Sequence, residues 1–267
     1  MKKTLLTIAA SVLMLCSMGA QERPANYAGK LVRFKALVYY TEYAEDAHVD
    51  FAHQTIDFFG KLTHGNGWHM DKATSIAGYT DEQLAQYSVI ICPDGLPGSP
   101  AERPLFERYM DNGGGCVAFH ASGYNDRNTN WPWLLEFLGC GCFKCNNWPP
   151  QPVLLELDKA DHPVTKNLPS EFVAPPSEWY QWADDLRSKD NIEVLVSLSP
   201  KNYPLGLKDI VYGGDWPVVW TNRNYRMIYL NMGHGDEEYI DATQNLLFIN
   251  AFRWIVSRDP SGNPFDK

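Results

Sequence analysis

Three histidines in this chain follow segments that read as β-strands, and a histidine in that position can do chemistry. The imidazole is the one side chain that ordinarily titrates near neutral pH, and it is a frequent metal ligand. His120 closes the apolar run Cys116-Val117-Ala118-Phe119, which the glycines Gly113-Gly114-Gly115 separate from what precedes it. His234, flanked by Gly233 and Gly235, comes just after the run 226–231, and His53 falls in the first helical turn after the opening strand. In an open α/β sheet ligands bind in the crevice at the carboxyl ends of the strands, so all three would share one rim. Perturbed histidines cluster where catalysis happens, so three on one rim point to a shared site. His48, His64 and His69 have no such placement and read as surface residues.

The elements that must hold this rim follow from hydrophobic periodicity. Apolar runs at 34–40, 68–73, 87–92 and 115–119 read as strands, and helical spacing appears at 51–62, 101–112 and 131–138. The polar stretch 41–50 reads as a loop, and Thr80 as the cap of a short helix. Strands alternating with helices of one to three turns predict a largely parallel, doubly wound sheet. The second half is richer in strands, at 153–157, 193–198, 217–221 and 226–231. It closes with a helix over 242–257 that carries Leu246, Phe248, Ile249, Phe252 and Ile255 on an apolar face.

Residues 1–20 have a short basic start, an apolar centre from Leu5 to Leu15 and small residues before Gln21, the pattern of a cleaved signal peptide. The apolar part is too short to span a bilayer, and Leu15 is too bulky before Cys16 for lipoprotein processing. A periplasmic or secreted protein is therefore expected. The expected layout is signal 1–20, extension 21–32, one domain over 33–259 and a tail at 260–267. Cleavage leaves 247 residues (267 − 20), removes two lysines and moves the formal charge from −9 to −11. So acidic a protein is a poor partner for nucleic acid or anionic membrane surfaces. No other segment is long enough to cross a membrane.

Several stretches in order carry a resemblance. Gly113–Ser122, Asp161-His162-Pro163-Val164-Thr165-Lys166-Asn167-Leu168-Pro169, Ser177-Glu178-Trp179-Tyr180, and Pro217-Val218-Val219-Trp220-Thr221 leading to Gly233-His234 resemble the ThuA-like (trehalose utilisation) family over about residues 33–259. The resemblance implies a three-layer sandwich with a mostly parallel central sheet, class I glutamine amidotransferase-like and flavodoxin-like. It also implies His53, His120, Glu178 and His234 as the catalytic residues. Those four are ligand types for a catalytic divalent metal, although no close pair such as His-x-x-x-His occurs among them.

The chain departs from glutamine amidotransferases, which place a nucleophilic cysteine at a sharp turn after a strand. Here His120 occupies that neighbourhood and Cys116 lies within the strand, so glutamine hydrolysis is not expected. Ser122 lacks a Gly-x-Ser-x-Gly frame. Cys140, Cys142 and Cys145 are too few for a four-ligand structural zinc site, leaving a Cys140–Cys145 or Cys142–Cys145 disulfide as the alternative. Trp131, Trp133, Trp148, Trp179, Tyr180 and Trp182 cluster in loops rich in Pro, Asn and Asp. Aromatic faces beside polar groups suit pyranose rings, and Trp131, Trp148, Trp179 and Tyr180 are the expected substrate contacts. The resemblance links such proteins to trehalose and keto-sugar use. The expected activity is therefore proton abstraction next to the ketone of a 3-keto glycoside or disaccharide, by isomerisation or elimination. A non-catalytic carbohydrate-binding protein and a glycoside hydrolase are the alternatives.

Overall fold

A computed structural model describes residues 35–66, 68–202, 204–207 and 215–260; the leader 1–20, the extension 21–32 and all of the tail except Pro260 lie outside the described residues. In chain order the elements are β1 (Lys35–Tyr39), α1 (Asp46–Gly65), β2 (His69–Ala73), α2 (Asp81–Leu84), β3 (Val89–Cys92), α3 (Arg103–Asp111), β4 (Gly115–Phe119) and α4 (Pro132–Leu138). The second half adds β5 (Phe143–Cys145), β6 (Gln151–Leu157), β7 (Glu171–Ser177), β8 (Gln181–Trp182), β9 (Ile192–Leu198), β10 (Pro217–Asn222), β11 (Arg226–Leu230) and α5 (Ala242–Ser257).

The main sheet runs β2-β1-β3-β4-β11-β10-β9-β6-β7. The first five strands pair in parallel, and β10, β9, β6 and β7 extend the sheet antiparallel. The parallel half has the doubly wound order in which helices cover both faces, so its strands must be apolar on both sides. Successive side chains oblige by alternating between two cores. Ala36, Val38, Val117 and Phe119 pack with Phe51 and Phe59 of α1 and Phe248 and Phe252 of α5. Leu37, Ile90, Cys116 and Ala118 face Phe106 of α3 and Phe137 of α4 on the other side.

The expected strands and helices are present with small shifts, and Thr80 caps α2 in a reciprocal capping box with Gln83. Three differences matter. Helix α1 starts at Asp46 rather than 51, so half of the expected 41–50 loop is helical. Strand β7 was not anticipated, because Pro175 and Pro176 break its pattern; as the last strand of the sheet it tolerates them. The loop 139–151 contains β5, which pairs with β8 in a separate small ribbon. Among the described residues, no helix is long and apolar enough to cross a membrane.

Candidate active site

The site begins where β4 ends. His120 is wholly buried and sits at φ +36°, in a region that costs a non-glycine residue on the order of 1–3 kcal/mol. The surroundings impose that conformation. The Tyr229 hydroxyl donates to the His120 carbonyl at 2.8 Å, and His120 Nδ1 lies 2.9 Å from the Asn231 carbonyl oxygen. A carbonyl can only accept, so Nδ1 carries the proton and the lone pair of the neutral ring is on Nε2. The chain crosses directly behind at Gly233, whose φ is +144°. A Cβ there would stand 2.7 Å from the His120 Cβ and 3.0 Å from Phe51, so only glycine fits.

Three further elements converge on this ring. The first turn of α1 brings His48, whose ring centroid is 5.1 Å from that of His120 and 5.0 Å from that of His234. The loop after β11 brings His234. Its backbone N–H and that of Gly233 both donate to Glu238 Oε1, at 3.0 and 2.8 Å, and Gln244 Nε2 donates to the second carboxylate oxygen. The segment after β7 brings Glu178. Asn231 docks that segment: its side chain exchanges hydrogen bonds with the Tyr180 backbone while its carbonyl holds His120. Glu178 Oε2 lies 3.8 Å from His120 Nε2 and 3.7 Å from His234 Nε2. On the open side, the largely exposed carboxylate of Glu45 lies 3.8 Å from His234 Nε2.

Burial controls the electrostatics. It pulls His120 down from 6.5 to about 3, with the neighbouring His234 adding to the effect. His48 is also lowered to about 3, by burial and then by His120 and His234. Both rings are therefore neutral at neutral pH and too weakly basic to serve as general bases there. Tyr180, whose ring centroid is 4.1 Å from that of His120, is raised by burial and by Glu178 and stays a neutral phenol. The Nε2 atoms of His48, His120 and His234 are sealed from solvent and make no hydrogen bond. His48, His120 and Glu178 each offer a ligand atom within 4.8 Å of the others, and so do Glu45, His48 and His234.

The structure thus brings together His120, His234 and Glu178 from the expected set, and it places His53 elsewhere. His53 is exposed on α1, its ring 6.3 Å from that of Tyr40. His48, expected at the surface, is buried in the cluster instead. The early start of α1 explains the exchange: five residues are about 140° around a helix, so the two rings cannot face the same way. Of the expected sugar contacts, Tyr180 touches His120, and half-buried Trp148 meets His234 edge-on at 6.1 Å. Trp179 is wholly buried, with its indole N–H donating to the Gln151 carbonyl. Trp131 stacks on Trp133 under the Arg103 guanidinium, on the α3–α4 side. Neither offers a free face for a sugar. Asn231 and Glu45 carried no sequence signal, because each acts through a contact between distant segments.

Cys116 is buried within β4, and Cys140 and Cys142 are free thiols, so neither proposed disulfide is formed. A cavity of about 180 Å³ lined by Tyr87, Tyr109, Gly114 and Arg226 lies at the amino ends of the strands, opposite the histidines.

Comparison with known proteins places this architecture. The family model described as trehalose utilisation matches residues 35–255. The crystal structure of a ThuA-like protein from Bacteroides uniformis ATCC 8492 is 61% identical with a TM-score of 0.87, covering 93% of this chain and 99% of that one. A ThuA-like protein from Parabacteroides merdae ATCC 43184 shares the fold at 17% identity and TM-score 0.61, over 85% of this chain and 92% of that one. A cytoplasmic protein from Salmonella typhimurium matches at 12% identity and TM-score 0.53, over 84% of this chain and 98% of that one. No curated protein matches the chain. The architecture is a three-layer α/β one, with helices on both faces of the central sheet, and the chain belongs to the ThuA-like, trehalose-utilisation family.

Proposed function

We propose that the protein is an exported enzyme that acts on a carbohydrate bearing a ring ketone, a 3-keto glycoside or disaccharide, by removing the proton next to the carbonyl. The observation that carries this reading is the convergence of His48, His120, His234 and Glu178 at the carboxyl ends of the parallel strands. The family description supplies the carbohydrate, and the leader pattern of residues 1–20 supplies the export.

A ketone makes the adjacent C–H acidic, and the site holds the two kinds of group that reaction needs. Glu178 and Glu45 are carboxylates that can accept the proton. The neutral Tyr180 phenol, its ring against that of His120, is the O–H donor for the enolate charge that would develop. The abstracted proton passes to a carboxylate and the C–H electron pair forms the enediolate. When the carbon between the ketone and the anomeric centre loses its proton, the electron pair can return to expel the glycosidic oxygen. That oxygen takes up a proton as it leaves, which is elimination; reprotonation on carbon gives the isomer instead. Half-buried Trp148 at His234 is the aromatic face best placed for a pyranose.

Incubating the protein with trehalose and with 3-keto-trehalose, followed by mass spectrometry, tests the reading. Turnover of the keto sugar alone is expected. Hydrolysis of native trehalose would overturn it in favour of a glycosidase, and tight binding of either sugar without turnover would make the protein a carbohydrate-binding one.

A further inference from the structure

The geometry points to a divalent transition-metal centre held by His48, His120 and Glu178, with His234 on its rim. This inference concerns the same side chains as the proposed function but stands on their geometry, and metal binding tests it whatever the substrate is.

Three observations carry it. First, the sealed Nε2 atoms of His48 and His120 have no hydrogen-bond partner, and these two rings each offer a ligand atom within 4.8 Å of one from Glu178. Burying one unsatisfied polar atom costs about 1–3 kcal/mol, so two in one place call for a common partner. Second, the spacing fits an ion and misfits hydrogen bonding. The contacts of 3.7 and 3.8 Å from Glu178 Oε2 to His234 and His120 exceed hydrogen-bond length. Ligands about 2.1 Å from one metal at angles between tetrahedral and slightly beyond trigonal stand roughly 3.4–3.8 Å apart. Third, the outer contacts are those of a ligating histidine. His120 donates Nδ1–H to the Asn231 carbonyl, which fixes the tautomer with the Nε2 lone pair facing the cluster.

Two imidazoles and one carboxylate select a first-row transition ion such as Zn²⁺, Mn²⁺ or Fe²⁺ over Mg²⁺ or Ca²⁺, which prefer all-oxygen sets. The ligand set also divides the labour between the carboxylates. Glu178 is taken up by the metal, and Glu45, on the solvent side of His234, is left to move the proton.

The test is titration of the EDTA-stripped, dialysed full chain with Co²⁺, Zn²⁺ and Mg²⁺, followed by visible absorption for Co²⁺ and calorimetry for all three. One equivalent of Co²⁺ should bind with a d–d spectrum of nitrogen coordination, Zn²⁺ should displace it, and Mg²⁺ should not compete. His48→Gln and His120→Asn should each weaken binding at least tenfold, whereas His53→Ala should leave it unchanged. Circular dichroism of each variant confirms folding, and wild type alone suffices should a variant fail to fold. Absence of stoichiometric Co²⁺ or Zn²⁺ binding to wild type would overturn the inference. So would a His53→Ala variant that loses the ion while His48→Gln keeps it.

Discussion

At the scale of single residues, the site consists of groups that would be unfavourable elsewhere. His120 combines complete burial, a positive φ and an imidazole held neutral. Buried neutral histidines couple to stability with a definite sign. In the metal-free protein, the folded values of His48 and His120 lie near 3, below the unfolded value of 6.5. The unfolded chain therefore binds more protons, and the stability these rings contribute is complete above pH 6.5 and lost as pH falls toward 3. At pH 5 the loss is on the order of 2 kcal/mol per ring. Glu238 opposes this. Burial raises it from 4.5 to about 7, so its contribution is complete below pH 4.5 and lost as pH rises through 7. Asp94, raised by burial from 3.8 to about 6, opposes it as well, so the part due to His120 is read from the difference between the melting temperatures at pH 7 and pH 5, measured in EDTA. His120→Asn, a residue that tolerates positive φ, should shrink that difference. An unchanged pH dependence in the variant would show that His120 is not held neutral.

At the scale of elements, the site depends on where chain segments cross. Gly233 passes so close to His120 that a methyl group has no room, and its φ of +144° is unsuited to other residues. Gly233→Ala should cost about 2–4 kcal/mol, a fall in melting temperature of roughly 5–15 °C. It should also displace both His120 and His234, whereas an unshifted melting curve would contradict the tight crossing. The core strands and α5 were legible in the sequence because their apolar faces follow period 2 or 3.6 without interruption. The first turn of α1 was not, since Asp46 is exposed and His48 faces the site rather than the core, so the turn lacks the apolar signal. His53 therefore seemed to begin the helix and took the place that belongs to His48. Strand β7 was hidden by its prolines, although it delivers Glu178.

At the scale of the whole molecule, the nine-stranded sheet divides its tasks. The parallel half presents β1, β4 and β11 so that α1, His120 and His234 meet at one rim. The antiparallel half carries Glu178 back across the sheet on β7, and Asn231 joins the two. Family and fold were readable from the order of several short stretches, each weak alone. The aromatic residues were harder to assign, because composition does not distinguish a tryptophan that packs a loop, such as Trp179, from one beside the site, such as Trp148. The central claim is that this rim removes a proton next to a sugar ketone. It is tested most directly by incubating 3-keto-trehalose in D₂O with metal-loaded protein and following deuterium at the carbon between the ketone and the anomeric centre. Wild type should introduce deuterium there, or eliminate the glycoside, far faster than buffer alone, and folded His120→Asn should do neither. Exchange no faster than buffer, or undiminished in His120→Asn, would contradict the account.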